Sequence, residues 1–224
     1  ARNTHCSLTK EITMRRICSE LHQLFNNLQR FTFPYEKEVL PQNGIYVMFE
    51  QKEKAHGYDR IVYVGSHQDD NRLEKRLNEH FIIENKDRSI LRKNIGRALL
   101  NKRDDPFLEQ WELNLTSRKA RELYKGQVDM QKQAHIESEV TKIIRSNFSF
   151  CVIPIQGKEN RKHYKVGLIA SIAQCHQCGP SKNWMGRFST NEKIRESGLW
   201  NTHYLSHEPF QPSDLENLKQ RVHI

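Results

Sequence analysis

Residues 44–65, GIYVMFEQKEKAHGYDRIVYVG, contain two β-strand patterns joined by a polar loop. In the first pattern, GIYVMF (44–49), the odd-numbered residues share one face of an extended strand and the even-numbered residues share the other. The second pattern, IVYVG (61–65), is rich in β-branched residues, and Gly57 lies in the loop as a turn residue. The two patterns predict an antiparallel hairpin.

Helical periodicity is found on both sides of this hairpin. Residues 70–81 carry an apolar stripe beside a polar stripe that includes Arg76 and His80, four residues apart. Residues 31–41 contain two prolines and are predicted to be an irregular connector. The third clear strand pattern is FSFCVIPI (148–155). Further helices are predicted at 8–30, 89–100, 117–124, 131–146, 164–173 and 214–222, and short extended segments at 111–115 and 199–204.

Charge and composition limit the classes of partner and of compartment. Lys and Arg number 36 against 27 Asp and Glu, a net charge of +9 that favours a polyanionic partner, although a well-solvated basic surface explains it equally well. The absence of a run of 18 or more apolar residues predicts no membrane span. Five cysteines, an odd number, and the lack of a signal-peptide pattern predict a reduced, cytoplasmic protein. No Gly-rich phosphate loop is present, so no nucleotide cofactor is expected.

The order of four short motifs resembles the GIY-YIG endonuclease family, most closely its stand-alone type II restriction enzymes. The motifs are the Gly-Ile-Tyr of residues 44–46, the Tyr-Val-Gly of residues 63–65, Arg76 followed one helical turn later by His80, and Asn183. Each motif alone is weak, and their order and spacing carry the resemblance. It implies an α+β fold with a small antiparallel three-stranded sheet flanked by helices. We divide the chain into an N-terminal helical arm (1–41), a nuclease core (42–190) with a long helical insertion (86–147), and a C-terminal extension (191–224).

The resemblance implies a role for each motif residue in phosphodiester hydrolysis. Tyr46 would take a proton from the attacking water, Tyr63 would orient the water, and Arg76 would clamp the phosphate with its planar fork. His80 would bind the phosphate or carry a proton, and Asn183 completes the motif set. Both tyrosines are predicted on an exposed sheet face, where positive charge must help a phenol to act as a base. The other interpretation is that the tyrosines pack, that His80 is a surface residue and that Asn183 belongs to a turn.

One position departs from the family pattern. On the helix after the third strand the family has a glutamate that binds a divalent metal, and counting back from the apolar pair at 168–169 places Lys165 there. An ammonium group has no acceptor and cannot bind Mg²⁺. Three explanations remain open: a deliberately inactivated form, a natural domain that binds without cutting or with altered chemistry, or a wrong register with Glu139 or Glu159 as the ligand. In the first case Lys165→Glu would restore Mg²⁺ binding.

Duplex DNA is the expected partner, and a palindromic target would require a homodimer. The resemblance to restriction enzymes also implies a bacterial or phage-like host. The helix predicted at 89–100 and its approach carry a basic stripe, Arg88, Arg92, Lys93 and Arg97, which either faces DNA or is merely solvated. The alternative function is a non-catalytic DNA-binding module, and an RNA partner is a third option.

A single Cys-x-x-Cys pair, Cys175 and Cys178, raises the question of zinc. A structural zinc site needs four ligands, and Cys151, His163 and His176 are the candidates for completing it. Packing of Cys175 beneath the end of the preceding helix is the competing explanation.

Overall fold

The computed structural model describes residues 2–222 of the chain. This part contains nine α-helices, four strands and two short 3₁₀ helices, Lys37–Val39 and Met185–Phe188. The α-helices and strands are α1 (Arg2–Asn26), β1 (Phe31–Thr32), β2 (Gly44–Ala55), β3 (Tyr58–Ser66), α2 (Leu73–Phe81), α3 (Ile90–Lys102), α4 (Leu108–Glu112), α5 (Arg118–Leu123), α6 (Met130–Asn147), β4 (Phe148–Pro154), α7 (Lys158–Ala173), α8 (Glu192–Ser197) and α9 (Pro212–Val222).

The strands form one antiparallel sheet in the order β1-β4-β2-β3. The predicted hairpin is confirmed: β2 and β3 pair around a two-residue turn, His56 and Gly57, whose φ angles of 53° and 82° are typical of a type I′ turn. The predicted third strand, β4, pairs with the other edge of β2. The α+β class is therefore confirmed, but the count of three strands is one too few. Residues of the predicted connector form β1, where Phe31 pairs with Phe150 of β4.

Helices cover both faces of the sheet. The odd-numbered side chains of β2, such as Ile45 and Val47, pack in one core with α1, α7 and α9. The even-numbered side chains, Tyr46 and Met48, pack in a second core with α2, α3 and α6. The prediction of an exposed tyrosine face is therefore wrong, because α2 and its neighbours bury that face.

Two predicted extended segments have other structures. Residues 108–112 form α4, in which the buried Trp111 donates its indole N–H to the carbonyl of Lys93 at 3.0 Å. Residues 199–204 form no strand, yet they cover the free edge of β3. The Asn201 side chain accepts from the backbone N–H of Val64 and donates to its carbonyl, both at 2.9 Å. A side-chain amide thus replaces the next strand of the ladder.

None of the described helices combines the length and the apolar character that crossing a bilayer demands.

Candidate active site

The two glycines of the strand motifs permit close approaches that a side chain would block. Gly65 pairs with Tyr46 across β2 and β3, and a Cβ on Gly65 would lie 2.2 Å from Cζ of the Tyr46 ring. A Cβ on Gly44 would lie 2.6 Å from the carbonyl oxygen of Ile153 on β4. Both distances are far below van der Waals contact. The phenol can therefore lie across Gly65 only because that residue has no side chain.

Gly65→Ala is accordingly expected to displace the Tyr46 ring and to lower the free energy of unfolding by about 1–3 kcal/mol. Denaturant unfolding measures the change, and near-UV circular dichroism reports the altered tyrosine environment. Gly179→Ala is the matched control, because a Cβ there meets nothing within 4 Å. Equal stability of the two variants would mean that Tyr46 does not depend on the space above Gly65.

The hydroxyl of Tyr46 is the meeting point of the motif residues. It lies 2.6 Å from Nε2 of His80, and Arg76 on the same helix lies close enough to act on its charge. Complete burial raises the pKa of Tyr46 well above its ordinary value, and the neighbouring Tyr63 raises it further, while Arg76 lowers it. Tyr46 therefore keeps its proton in the resting protein.

His80 is fully buried between Tyr46 and Ser89. Its Nδ1 lies 2.6 Å from the Ser89 hydroxyl, which itself accepts the backbone N–H of Arg92 at 3.2 Å. Burial, and then the positive charges of Arg76 and Arg92, hold the pKa of His80 well below its ordinary value, so the imidazole is neutral. Direct contact between His80 and a phosphate does not fit its burial. Movement of a proton remains a prediction.

Arg76 is fixed on the same side of α2. Its Nη1 donates to Glu79 and to the carbonyl of Arg88, each at 2.7 Å. Burial opposes the charge of Arg76, but the phenols of Tyr46 and Tyr63 and the Glu79 carboxylate raise its pKa, so the guanidinium stays charged. Tyr63 is 4% exposed, and its ring centroid lies 6.3 Å from that of Tyr46. The structure thus brings the two tyrosines, Arg76 and His80 together.

A polar cavity of about 400 Å³ opens beside Arg76, between the end of β3, α2 and α7. Lys165 lines this cavity with Arg76, and its Nζ lies 5.2 Å from the centre of the Tyr204 ring. Burial, and then the charges of Arg76 and Lys162, lower the pKa of Lys165. The cavity is lined by Ser66, His67, Gln68, Asp69, Arg72, Lys75, Arg76, Glu79 and Lys165.

His67, which no sequence motif indicated, fixes the start of the first motif strand. Its Nε2 accepts the backbone N–H of Gly44 at 3.1 Å, and its Nδ1–H donates to the carbonyl of Asp69 at 2.7 Å. Ser89 was also missed. Its position at the start of the predicted helix was the available signal, because serine is a preferred N-cap residue and the Ser89 hydroxyl caps α3.

Asn183 does not join the site. It is exposed and adjoins Trp184, whose indole N–H donates to Glu50 at 2.9 Å. Glu50 is four residues beyond Tyr46 on β2, roughly 13 Å along the strand. Within the described residues the structure gives Asn183 no contact with the tyrosines or with Arg76.

Neither alternative carboxylate lines the cavity of Arg76. Glu139 lies on α6, where it pairs with Arg103 at 2.7 Å and with His135 at 3.2 Å. Glu159 lies in the first turn of α7 and lines a different cavity. The position counted from the sequence, Lys165, is the one that faces Arg76.

The predicted basic stripe needs correction. Arg92 is fully buried and forms an ion pair of 2.6 Å with Glu137, so it cannot contact DNA. Lys93 and Arg97 turn towards α4, where Lys93 donates to a backbone carbonyl at 3.0 Å and Arg97 pairs with a carboxylate at 2.6 Å. Arg88 is the exposed member of the four. The helical period correctly placed these residues on one side of α3, but α4 and α6 pack against that side and cover most of it.

The divalent metal that the resemblance implies does not fit the donors of the cavity. Its lining has two carboxylates, Asp69 and Glu79, against four basic side chains, and Glu79 is already paired with Arg76. Among the side chains that the structure describes, the group able to hold a metal is Cys18, His22, His56 and Cys178, and its cysteines lie in the core on the opposite face of the sheet. A cation needs oxygen donors and low positive charge around it, and this cavity offers the reverse.

A family model described as GIY-YIG domain matches residues 10–224, nearly the whole chain. Comparisons with curated proteins and with solved structures give no match.

Proposed function

Since the chain belongs to the GIY-YIG domain family, whose members are nucleases, we propose that it is a DNA endonuclease domain whose phosphate site is the cavity of Arg76 and Lys165 and whose metal-ligand position is inactivated by Lys165. The observation that carries this proposal is the clustering of the motif residues beside the cavity. The hydroxyl of Tyr46 contacts His80, the charge of the nearby Arg76 acts on that hydroxyl, and Arg76 also lines the open cavity.

The charge of the cavity lining is suited to an anion such as a phosphodiester group. Arg76 is held in place by Glu79 and by a backbone carbonyl, so its remaining donors are already oriented. Arg72 and Lys75 lie exposed at the rim. A planar guanidinium and three further basic groups match phosphate oxygens and stabilise the charge that builds up during hydrolysis.

Proton movement at Tyr46 depends on the tautomer of His80. In the tautomer whose Nδ1–H donates to the Ser89 hydroxyl, Nε2 of His80 is free to accept the proton of Tyr46. Tyr46 then passes its own proton to Nε2 as it takes one from the attacking water. The charge of Arg76, which lowers the pKa of Tyr46, favours release of the phenol proton. In this way Tyr46 serves as the base that the resemblance implies.

We further propose a restriction-type enzyme that recognises a sequence in duplex DNA as a homodimer. One cavity of this kind holds one phosphodiester at a time, so cutting both strands of a palindrome requires two copies of the chain.

The second candidate function is a DNA-binding module that does not cut. The observation that favours it is Lys165 in the cavity, together with the poor fit of a metal there. In that case Lys165 is a phosphate contact and its loss weakens binding.

Cleavage of supercoiled plasmid by Lys165→Glu in Mg²⁺ tests the nuclease proposal, with Arg76→Ala added to that variant. Loss of about 10²–10³-fold in rate is expected from Arg76→Ala, because it removes the fixed charge at the phosphate. Arg97→Ala in the same background is the matched control, since Arg97 pairs with α4 instead. A plasmid that stays intact with Lys165→Glu while duplex DNA is still bound would favour the binding module.

Arg72→Ala and Lys75→Ala are expected to weaken binding to duplex DNA of any sequence. Each should lower the slope of log K against log salt by about 1, because each removes about one phosphate contact. Fluorescence anisotropy at several salt concentrations measures the slope, and Arg97→Ala should leave it unchanged. Equal slopes for all three variants would place the DNA on another surface.

A further inference from the structure

A cluster of sulfur and imidazole groups lies in the core that the sheet forms with α1, α7 and α9. At this point the β2–β3 turn meets α1 and the segment after α7. The ligand atoms of Cys18, His22, His56 and Cys178 all lie within 4.8 Å of one another. The Sγ of Cys178 is 3.3 Å from Sγ of Cys18 and 3.3 Å from Nε2 of His56. Cys175 is not one of these four but adjoins them, with its Sγ 3.5 Å from Nε2 of His56.

Four of these five side chains are free to bind a common ion. His22 is not, because both of its ring nitrogens are engaged: Nδ1 donates to the carbonyl of Cys18 at 2.9 Å, and Nε2 accepts the N–H of Ile61 at 3.2 Å. Nε2 of His56, in contrast, faces the sulfurs of Cys175 and Cys178. The remaining set is therefore three cysteines and one histidine.

We propose that Cys18, His56, Cys175 and Cys178 bind a structural Zn²⁺ ion. Bond lengths of about 2.3 Å to sulfur and about 2.0 Å to nitrogen put tetrahedral ligands roughly 3.8 Å apart for two sulfurs and roughly 3.5 Å apart for sulfur and nitrogen. The separations of 3.3–3.5 Å found here are close to those values. Soft sulfur ligands with one imidazole in a tetrahedral arrangement favour zinc over the hard cations.

The backbone at the ligands supports the same assignment. His56 has a φ of 53° in a type I′ turn, a position that asparagine and glycine usually occupy. This conformation brings the imidazole into contact with the cysteines. In the Cys-x-x-Cys segment the N–H of Cys178 donates to the carbonyl of Cys175 at 3.0 Å, a tight turn that brings both sulfurs to one side.

The ion would join three segments that are distant in the sequence. It would tie α1 to the hairpin turn and to the segment after α7, and so hold the N-terminal helix on the sheet. The candidates Cys151, His163 and His176 are not ligands. Cys151 donates to a backbone carbonyl at 3.5 Å, His163 contacts Asp214 at 3.2 Å, and His176 is exposed.

This site is independent of the phosphate cavity. His56 is ten residues beyond Tyr46, roughly 30 Å along the strand direction. The cysteines also lie in the core on the opposite face of the sheet. Loss of the ion is therefore expected to lower the stability of the fold and not to alter the chemistry of the cavity directly.

Elemental analysis of the full chain, purified without chelators, tests the proposal. About one zinc per chain is expected in the unchanged protein and almost none in Cys18→Ser or Cys178→Ser. Cys151→Ser is the matched control, because Cys151 is an equally buried free thiol of the same core. It should retain its zinc.

A second measurement covers variants that fail to fold. Removing the metal from the unchanged protein with a chelator should lower Tm, and Zn²⁺ but not Mg²⁺ should restore it. Co²⁺ in place of zinc should give the visible absorption of a tetrahedral thiolate site. A chain that carries no zinc and whose Tm does not respond to it would overturn the proposal. So would a disulfide between Cys18 and Cys178, or equal zinc loss in Cys151→Ser.

Discussion

Lys165→Glu is expected to turn this chain into a Mg²⁺-dependent nuclease, with a cleavage rate at least about 10³-fold above that of the unchanged chain. The substitution replaces an ammonium group, which repels a cation, with a carboxylate, which can bind one. It does so in the cavity that Arg76 also lines, the proposed phosphate site. Mg²⁺ commonly needs only one or two carboxylates in addition to phosphate oxygens, so a single new carboxylate is sufficient. Conversion of supercoiled plasmid to nicked and linear forms, with and without Mg²⁺, gives the rate.

Two controls isolate the carboxylate as the cause. Lys165→Gln removes the positive charge but supplies no carboxylate, so it should remain inactive. Lys162→Glu makes the same charge change nearly one turn earlier on α7, at an exposed position outside the cavity. If the unchanged chain already cuts as fast as Lys165→Glu, the role given to this position is wrong.

The parts of the fold that the sequence predicts are those set by neighbours in the chain. The hairpin of 44–65 follows from a two-residue period and a glycine turn, and α2 follows from the spacing of Leu73, Leu77 and Phe81. The motif residues are carried by these elements. Their convergence at Tyr46 was therefore within reach of the sequence.

The errors arise where distant segments cover a surface. Residues 44–49 are apolar on both faces, which is the pattern of a strand buried on both sides. The same residues could therefore have predicted that the tyrosine face is buried. The burial of Arg92 was harder to foresee, because its partner Glu137 is 45 residues away. The proposed zinc site depends on a contact between Cys18 and Cys178, 160 residues apart, and no local period encodes that contact.

Glu137→Gln is expected to lower the free energy of unfolding by about 3–5 kcal/mol, because it leaves the charge of Arg92 buried and unpaired. The Arg92 guanidinium donates to Glu137, to the carbonyl of His80 at 3.1 Å and to Thr141 at 2.9 Å. Burial raises the pKa of Glu137 even though Arg92 and Lys86 lower it. The desolvation cost of this carboxylate is thus large, and the pair persists because each charge satisfies the other. Denaturant unfolding measures the loss.

A double variant separates the pair from its individual charges. Arg92→Met with Glu137→Leu removes both charges at similar volume, so it should be more stable than Glu137→Gln alone. The exposed pair Arg103 and Glu139 is the matched comparison, and Arg103→Ala should cost less than about 1 kcal/mol. A further variant, Arg92→Ala, tests whether Arg92 acts through burial or as the DNA contact that the predicted basic stripe made it. An Arg92→Ala variant that folds with full stability but loses affinity for DNA would return this residue to the DNA-facing surface. Reduced stability with an unchanged salt slope would show instead that Arg92 acts by holding α3 and α6 beneath His80.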